Sequence, residues 1–450
     1  MTGLHETLFR RGLYPFYESV LRRRKTFAYL KSYERDQWLD GESIARLQWQ
    51  RLQALLAHCW REVPYYRQQW EALGITPEDI RSMADYQQLP VLTKDDIRTH
   101  FDALKASSLR DELLYKTTGG STGVPLRLGY TRESYERRSA VMWRGYGWSG
   151  SRIGRRSLFL WGGTVGQPSR WTLMRERIYH GMFNRRMLDC FRMTESNMGE
   201  YAAAIDHYRP EIIVSYVQPL FQLASWMLAN DHQGHRPVAV ISCAEALHSF
   251  QREIIERAFG APVTNTYGCR EFMLIAAECE QHDGLHINAD HLLVEVIKQQ
   301  SDGVGEVAIT DLFNYGMPFL RYVNGDLATP MAGACACGRA LPRLRAVDGR
   351  KLDAIRNRAG VILPGEFFPF MLKDVPGLLA FQAVQRTLDS LDLYIVRGPE
   401  FDADSVTYVR TEIERALGSG VELRVHFVSE IAASPSGKQR VTRSEIVDTP

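Results

Sequence analysis

The stretch Tyr115–Tyr130, YKTTGGSTGVPLRLGY, decides how the rest of the chain is interpreted. Its central part, Thr117–Gly123, holds three threonines, three glycines and one serine, residues that bury little apolar surface and leave the backbone unusually free. Backbone N–H groups and hydroxyls in such a loop converge on an anion. Pro125 and Leu126–Tyr130 predict a strand directly after it. We therefore expect a polyphosphate-binding loop anchored to a strand, and not a flexible linker.

Two other loop motifs compete for the same residues. The loop lacks the Gly-Lys-Ser/Thr ending of a P-loop NTPase. Gly119–Gly123 does satisfy G-x-S-x-G, which would make Ser121 a hydrolase nucleophile and His426 its base. That motif needs a helix directly after the serine, whereas Pro125 and a strand pattern follow here, and the sequence marks no acid as the partner of His426. We therefore disfavour a serine hydrolase.

A third glycine motif lies in GYGWSG, where Gly145, Gly147 and Gly150 match G-x-G-x-x-G. A dinucleotide-binding fingerprint must follow a strand. This match follows a helical pattern, and aromatic residues crowd its glycines. We therefore predict no dinucleotide site here.

The length of the chain and the order of its predicted strands and helices indicate its fold class. At 450 residues with 45% hydrophobic residues, the chain suits two or three domains. From about residue 153, strand-like runs such as RSLFLWGG and EIIVSYV alternate with helical stretches such as SFQREIIERAFG, a pattern typical of α/β cores. We predict an α/β fold with a large N-terminal body, residues 1–350, of mixed, largely parallel sheets flanked by helices. A small, mobile C-terminal α+β domain would follow in residues 351–450.

The balance of basic and acidic residues limits the classes of partner that the protein is expected to bind. Lys and Arg total 55 against 53 Asp and Glu, which indicates neither nucleic acid nor a membrane surface. No apolar run reaches the roughly 18 residues of a spanning helix and no leader follows Met1, so we expect a cytoplasmic protein without a transmembrane segment. The basic run Arg22–Lys25 is a local exception, either a solvated helix face or a contact for an anionic surface or partner. Seven cysteines predict reduced thiols or a metal site.

Five separated motifs resemble those of one superfamily. TTGGSTGVP resembles the phosphate loop of the adenylate-forming enzymes, NTYGCRE their adenine and magnesium motif, and ITDLFNYGMPFLRYVNGD their ribose segment. VDGRKLDAI resembles their hinge and SPSGKQR their C-terminal lysine loop. REVPYYRQQW, LPVLTKDDIR, AAECEQHDGLHINADH and CACGRALPRL further resemble the phenylacetate-CoA ligase family, especially its branch associated with capsule biosynthesis.

The resemblance implies a fold with a large body and a mobile lysine-bearing domain, and an ATP-dependent enzyme that forms an acyl adenylate. A carboxylate attacks the α-phosphate of ATP while pyrophosphate leaves, so negative charge must be neutralised. The implied ATP phosphate-binding residues are Thr117, Thr118, Gly119, Gly120, Ser121, Thr122 and Gly123.

The remaining roles are also implied by the resemblance. Tyr267 and Gly268 would contact adenine, and Asp326, which we expect to be exposed by an Asn-Gly-Asp turn, would grip the ribose hydroxyls. Glu271 would hold Mg²⁺ through a hard oxygen ligand. The implied catalytic cations are Arg350, on ribose or phosphate, and Lys438, on the carboxylate and the α-phosphate.

Two positions depart from the family pattern. Arg270 stands where a Thr or Ser usually precedes the motif glutamate, so a fixed cation replaces a hydroxyl. Leu352 stands at the hinge position where Asp or Lys is common, which leaves the pivot residue open.

The region 279–337 also carries zinc-ligand residue types. Cys279, Cys335 and Cys337 with one histidine would form a closed, structural Cys₃His site. A Cys-x-Cys-Gly paired with an upstream Cys and His resembles the capsule branch. We prefer His286 as the fourth ligand and keep His282 as the alternate.

The substrates are less well defined. Trp143, Tyr146 and Trp161 are residues that could line a pocket for the small carboxylic acid, although packing alone also explains them. We expect coenzyme A as the acyl acceptor, with an amine or a carrier as alternatives. A catalytically silent nucleotide-binding scaffold is a further alternative, which is disfavoured by the joint presence of Glu271, Asp326, Arg350 and Lys438. The sequence leaves an oligomer possible.

Overall fold

The structure is a computed structural model. It describes residues 7–117, 126–161, 170–190, 193, 195–299, 303–350, 355–356, 362–363, 368, 372, 375–417, 421–431 and 441–446. The predicted loop residues Thr118–Gly123, the hinge position Leu352 and Lys438 lie outside these ranges.

Helices occupy the N-terminal quarter, alternate with the central strands and occur again near the end of the chain. Two short π-helical turns, Phe9–Leu13 and Phe16–Leu21, come first, and the 3₁₀ turns whose full extent the structure describes are Pro77–Asp79, Ser107–Glu112 and Glu195–Asn197. The α-helices are α1 (Thr26–Asp36), α2 (Gly41–Glu62), α3 (Pro64–Leu73), α4 (Met83–Tyr86), α5 (Lys94–Thr99), α6 (Arg132–Trp148), α7 (Arg170–Met182), α8 (Met198–Tyr208), α9 (Val217–Ala229), α10 (Ser249–Phe259) and α11 (Ala403–Leu417).

The strands form one large sheet and smaller ones. They are β1 (Leu114–Thr117), β2 (Arg127–Tyr130), β3 (Ser157–Trp161), β4 (Arg185–Asp189), β5 (Ile212–Tyr216), β6 (Ala239–Cys243), β7 (Val263–Cys269), β8 (Met273–Glu278), β9 (Leu285–Ile287), β10 (Leu292–Ile297), β11 (Gly305–Asp311), β12 (Tyr322–Met331), β13 (Arg343–Arg350), β14 (Ile355–Arg356), β15 (Ile362–Leu363), β16 (Leu378–Thr387), β17 (Ser390–Arg397), β18 (Glu422–Phe427) and β19 (Thr442–Ser444).

The large sheet has the strand order β10-β11-β12-β13-β9-β8-β7-β6-β5-β3-β4. From β4 to β7 its neighbours are parallel, and from β7 to β10 they are antiparallel. The inner parallel strands β5 and β6 are buried on both faces, because helices cover them. The structure confirms the predicted α/β class with a mixed sheet flanked by helices.

The N-terminal helices pack against the sheet. The predicted break at Val63-Pro64 separates α2 from α3, with Pro64 at the first helical position, where its missing N–H costs nothing. Leu52, Leu55 and Leu56 of α2 are buried in the main core, which also contains residues of β7 to β12. Ahead of these helices, the π-helical turns leave Leu13 and Phe16 exposed.

The C-terminal segment builds its own sheet and core. Its four-stranded sheet has the order β18-β17-β16-β19, and α11 contributes Val409 and Ile413 to a separate hydrophobic cluster. These elements match the predicted strand pair, helix and strand. The exact division between residues 350 and 351 remains a prediction. Among the helices that the structure describes, none has the length and apolar character needed to cross a bilayer.

Candidate active site and cysteine cluster

The end of β7 and the middle of β12 meet in a buried polar network. The hydroxyl of Tyr267 donates to Oδ2 of Asp326 at 2.8 Å. The side-chain amide of Asn324 donates to both, at 2.8 Å to the Tyr267 oxygen and 2.5 Å to the carboxylate. Burial and the Asp326 carboxylate raise the pKa of Tyr267 well above its ordinary value, so the hydroxyl remains a donor at neutral pH. The network holds the carboxylate in a fixed orientation.

The local structure around Asp326 differs from the sequence expectation. Asp326 does not lie on an exposed turn; it lies within β12 and is buried. Gly325 has φ of +88°, which a strand tolerates at a glycine, and the neighbouring register shifts lie at Glu306/Ala308 and Leu327/Ala328. Asn-Gly-Asp is typical of turns, but here Asp326 pairs with β13, and Val323 and Leu327 on either side of the segment pair with β11, which keeps it in the sheet as an irregularity.

The predicted catalytic Arg350 is the cross-strand neighbour of Asp326. Their Cα atoms are partners in the β12–β13 pairing, which brings the backbone of Arg350 beside the carboxylate position. The side chain of Arg350 lies outside what the structure describes. Strand pairing thus places the predicted ribose-binding residue Asp326 beside β13, the last strand before the predicted hinge.

Glu271 lies next to this network. It is buried, and the hydroxyl of Tyr322 donates to its Oε1 at 3.2 Å. Burial is the largest cause that raises the pKa of Cys269, followed by the carboxylates of Glu271 and Asp326. The same three causes, with that thiol, raise the pKa of Tyr322. Two carboxylates therefore share the same neighbours, an arrangement suited to a cation and to ribose hydroxyls.

Gly268 allows a close backbone approach between β7 and β8. A Cβ atom on Gly268 would lie 2.1 Å from the carbonyl oxygen of Met273, and the register shifts between Tyr267 and Gly268. Met273 itself has φ of +62°. The glycine is thus required by the hairpin that carries Tyr267 and leads to Glu271.

Thr117 is the one predicted phosphate-binding residue that the structure describes. It ends β1 and pairs with Arg127 at the start of β2, so the loop leaves from and returns to a two-stranded ribbon. The predicted strand after Pro125 is confirmed as β2. The roles of Thr117–Gly123 and Lys438 stay predictions.

The three predicted cysteines and one histidine form a compact cluster. The ligand atoms of Cys279, His286, Cys335 and Cys337 all lie within 4.8 Å of one another. Sγ of Cys279 is 3.7 Å from Sγ of Cys335, and Sγ of Cys337 is 3.4 Å from Nε2 of His286. A tetrahedral zinc site with ordinary bond lengths separates two sulfurs by about 3.8 Å and a sulfur from a nitrogen by about 3.6 Å. The donor set fits zinc in kind and in spacing.

The geometry distinguishes the two histidines. Nδ1 of His286 faces the carbonyl oxygen of Leu341 at 3.3 Å, which turns Nε2 toward the sulfurs. His282 instead faces Glu278, with Nδ1 3.1 Å from the carboxylate. Burial lowers the pKa of His286 to about 4, so its imidazole is neutral at pH 7, as a metal ligand must be. The cluster therefore contains His286 and not His282.

The thiols of the cluster differ in acidity. Burial raises the pKa of Cys279 to about 12. Burial also acts to raise the pKa of Cys337, but the backbone and side-chain donors of Arg339 outweigh it and lower that pKa. A divalent cation would bind all three as thiolates.

The aromatic residues suggested for an acid pocket are spread over several environments. Trp161 is half-buried with its ring centroid 4.3 Å from that of Tyr216. Tyr146 is buried, and its hydroxyl lies 3.3 Å from Sγ of Cys243. Trp143 packs against a separate N-terminal core. The described residues bring Trp161, but not Trp143, to the carboxyl end of a parallel strand.

The two competing motifs have structural explanations. Gly145 and Gly147 lie inside α6, so GYGWSG does not follow a strand, and a Cβ on Gly145 would lie 2.2 Å from Leu274. His426 does have an acidic neighbour, contrary to expectation, because Oδ1 of Asp392, diagonally across on β17, lies 3.3 Å from Nε2 of His426 on β18. That carboxylate also binds Arg386 at 2.9 Å, which makes it part of a sheet ion-pair network.

Two residues of the network escaped the sequence analysis. Asn324 and Tyr322 hold Asp326 and Glu271 through hydrogen bonds. Their spacing offered a signal: Tyr322, Asn324 and Asp326 alternate along β12 and so share one face.

Known proteins resemble the chain over most of its length. Residues 356–445 match the family described as CapK C-terminal domain. A phenylacetate-coenzyme A ligase of Thermus thermophilus is 28% identical over 381 residues, covering 79% of this chain and 82% of that protein. Protein CapK of Staphylococcus aureus is 23% identical over 429 residues, covering 90% of each.

A solved structure shows the same fold. The chain resembles 2-hydroxyisobutyryl-CoA ligase in its postadenylation state with a TM-score of 0.70 and 20% identity, covering 90% of this chain and 89% of that one. The resemblance inferred from the motifs is confirmed by these relatives.

Proposed function

Since the chain belongs to the adenylate-forming enzymes, as a phenylacetate-CoA ligase-like member related to CapK, we propose that it joins a small carboxylic acid to coenzyme A. As an ATP-dependent, AMP-forming ligase, it would first make the acyl adenylate. The observation that carries this proposal is the Tyr267–Asn324–Asp326 network beside Glu271.

In the first step, a carboxylate oxygen bonds to the α-phosphorus of ATP and the bond to the bridging oxygen breaks, releasing pyrophosphate. Asp326 would accept hydrogen bonds from the ribose hydroxyls, and Tyr267 with Gly268 would contact adenine. Thr117–Gly123 would donate to the β and γ phosphates. Arg350 and Lys438 would neutralise charge at the ribose-phosphate end and at the α-phosphate.

Glu271 would hold Mg²⁺, which offsets negative charge on the phosphates when bound. The hydrogen bond from Tyr322 fixes one oxygen of Glu271, and in this proposal the carboxylate also binds the cation. This assigns the two buried carboxylates different partners, a metal ion for Glu271 and ribose for Asp326.

In the second step, a thiol attacks the acyl carbonyl carbon and AMP leaves. Coenzyme A is the acceptor named for the phenylacetate ligases among the relatives, and we extend it to this chain. An amine or a carrier as acceptor is the competing proposal, since the name of the relative protein CapK specifies no acyl acceptor. We also propose a cytoplasmic location.

The cysteine cluster would hold a structural zinc ion. Cys279 and His286 come from the β8–β9 hairpin and Cys335 and Cys337 from the loop after β12, so a bound ion would tie these segments together. All four ligands come from the protein, which leaves no open position for catalysis.

A pyrophosphate-release screen tests the ligase proposal. Aryl, fatty and amino acids are each incubated with ATP and Mg²⁺, and the acyl adenylate is trapped with hydroxylamine. We expect acid-dependent release, lost in Lys438→Ala, and then thioester formation when coenzyme A is added. Formation of an amide from an added amine, without any thioester, would show that the acyl acceptor is an amine. ATP binding with no acid-dependent release for any acid would instead favour the silent scaffold.

A further inference from the structure

A cavity of about 470 Å³ lies beside the base of the predicted phosphate loop. Three parts of the chain meet there: the end of the second π-helical turn, the β1–β2 ribbon and the start of α6. The lining residues are Leu21, Arg22, Arg24, Leu114, Lys116, Tyr130, Arg132 and Tyr135. Four of the eight are cations and none is an acid. The basic run Arg22–Lys25 therefore contributes to a cavity wall.

The cations of this cavity are unequally neutralised. Arg24 pairs with Glu18 at 3.4 Å and Arg132 with Glu136 at 2.9 Å. Arg22 donates to the hydroxyl of Tyr17. Within the part of the chain that the structure describes, Lys116 has no carboxylate within ion-pair distance. Among the described residues, the positive charge of Lys116 in this cavity is therefore not balanced by a carboxylate.

Lys116 is held between aromatic rings. Its Nζ lies 5.2 Å from the ring centroid of Tyr130 and 4.9 Å from that of Tyr135, and these rings stack with centroids 5.8 Å apart. The Arg138 guanidinium lies over the Tyr130 ring as well, at 5.4 Å. The rings fix the ammonium in position through cation–π attraction but supply no counter-charge.

Two further cations, Arg138 and Arg270, act electrostatically on Lys116. Burial, and then repulsion by Arg138 and Arg270, lower the pKa of Lys116 to about 8. Arg138 is neutralised by Asp311 at 2.6 Å, whereas the exposed Arg270 has no ion pair among the described residues. An anion bound at Lys116 would relieve the repulsion between Lys116 and Arg270.

The position of this pair along the chain indicates the ligand. Lys116 directly precedes Thr117, and Arg270 directly precedes Glu271, so each cation adjoins a residue assigned above to ATP phosphate or its metal. We propose that this cavity is a binding site for a phosphate dianion carried by a substrate of the ligase, with Lys116 as its central ligand. The terminal phosphates of ATP, and the pyrophosphate they become, are one source, and a phosphate on the acceptor is the other. The choice of ligand rests on the proposed function.

Binding measurements on one pair of variants test the site. Wild type, Lys116→Gln and Lys105→Gln are titrated with pyrophosphate, ATP, AMP and desulfo-coenzyme A. Lys105 is the matched control because its Nζ lies 4.3 Å from the Phe101 centroid and 5.4 Å from that of Tyr115, yet pairs with Asp102. Tyr115 and Lys116 are adjacent in β1, so they face opposite sides of the ribbon.

We expect Lys116→Gln to weaken binding of pyrophosphate and ATP by about tenfold or more, the loss typical of a charge-assisted contact. AMP, which lacks those phosphates, should bind with unchanged affinity, and Lys105→Gln should match wild type for every ligand. Lys116→Arg should recover most of the loss, because it restores charge.

The other outcomes are equally decisive. Weakened desulfo-coenzyme A with unchanged pyrophosphate and ATP would support the site and assign it to the acceptor. Unchanged affinity of folded Lys116→Gln for pyrophosphate, ATP and desulfo-coenzyme A would overturn it. If wild type binds neither AMP nor ATP, the proposed function fails, and pyrophosphate alone then decides the cavity: binding that depends on Lys116 supports it, and any other result removes it.

Discussion

The hydroxyl of Tyr267 lies 2.8 Å from the carboxylate of Asp326, although 59 positions separate the two residues in the chain. Asn324 touches both groups, so two side chains from two strands fix one carboxylate. A carboxylate that must meet two ribose hydroxyls benefits from such fixed placement, since little orientation has to be gained on binding.

Tyr267→Phe should weaken ATP and AMP binding alike, because both ligands carry the ribose. Loss of one donor to a buried carboxylate costs about 1 to 3 kcal/mol, so we expect an affinity loss of about fivefold or more in calorimetric titrations. Tyr86→Phe is the control, since it removes another buried hydroxyl, which contacts Thr310 at 2.6 Å, far from the network in sequence. Equal affinities in both variants would show that Tyr267 does not orient Asp326 for binding.

Gly268→Ala should destabilise the fold, because the added Cβ would meet the Met273 carbonyl oxygen at 2.1 Å. Overpacking of this kind typically costs about 1 to 3 kcal/mol. Gly147→Ala is the matched change, since its Cβ would have no neighbour within 4 Å and alanine favours the helix. Thermal unfolding should show a lower Tm for the first variant only. An unchanged Tm for Gly268→Ala would mean that the β7–β8 turn relaxes freely.

The sequence predicted the fold class and the cysteine cluster because both leave local signals. Alternating apolar strands and amphipathic helices can be recognised in the sequence without knowledge of the tertiary structure. Cys335 and Cys337 stand two residues apart, which limits where a partner can lie. The choice between His282 and His286 needed the structure, because both histidines are near in sequence and only their neighbours, Glu278 and Leu341, separate them.

Other features could not be predicted because long-range pairing decides them. Asn-Gly-Asp predicted a turn around Asp326, yet pairing of Asp326 with β13 and of the residues on either side with β11 keeps the segment within β12. The contact of Asn324 with Tyr267 spans 57 positions, and nothing within β12 marks its partner. The aromatic contacts of Lys116 likewise depend on Tyr135, which lies in α6.

Removal of the predicted zinc should destabilise the body of the protein. We expect one zinc ion per purified chain by elemental analysis, and a lower Tm after chelation, because a structural ion contributes folding free energy. Cys335→Ser should lose the metal. Cys190→Ser is the control, since this buried thiol lies outside the cluster and should retain it. A metal-free wild type with an unchanged Tm in chelator would leave the four residues as ordinary packing.

The affinity for ATP should fall as pH rises through the pKa of Lys116, which is about 8. The lysine is charged below that pH and attracts phosphate, whereas above it the site must first take up a proton. Ionisation of ATP itself does not produce this loss of affinity above pH 8, because the second ionisation of a phosphate lies near pH 6.

The groups that face Lys116 should not reproduce this dependence. Arg22, Arg24, Arg132, Arg138 and Arg270 remain charged throughout. Glu18 and Glu136 are ion-paired carboxylates, and burial raises the pKa of Tyr130. Tyr135 is the remaining titratable neighbour, so Tyr135→Phe is measured in parallel.

Titrations with ATP from pH 7 to pH 9.5 should therefore show affinity falling by up to about tenfold per pH unit above 8 in wild type. Lys116→Arg should show a flat profile at high affinity, because arginine keeps its proton, and Lys116→Gln a flat profile at low affinity. A wild-type decline that persists unchanged in Lys116→Arg would assign the proton to another group, and loss of the decline in Tyr135→Phe would identify that tyrosine.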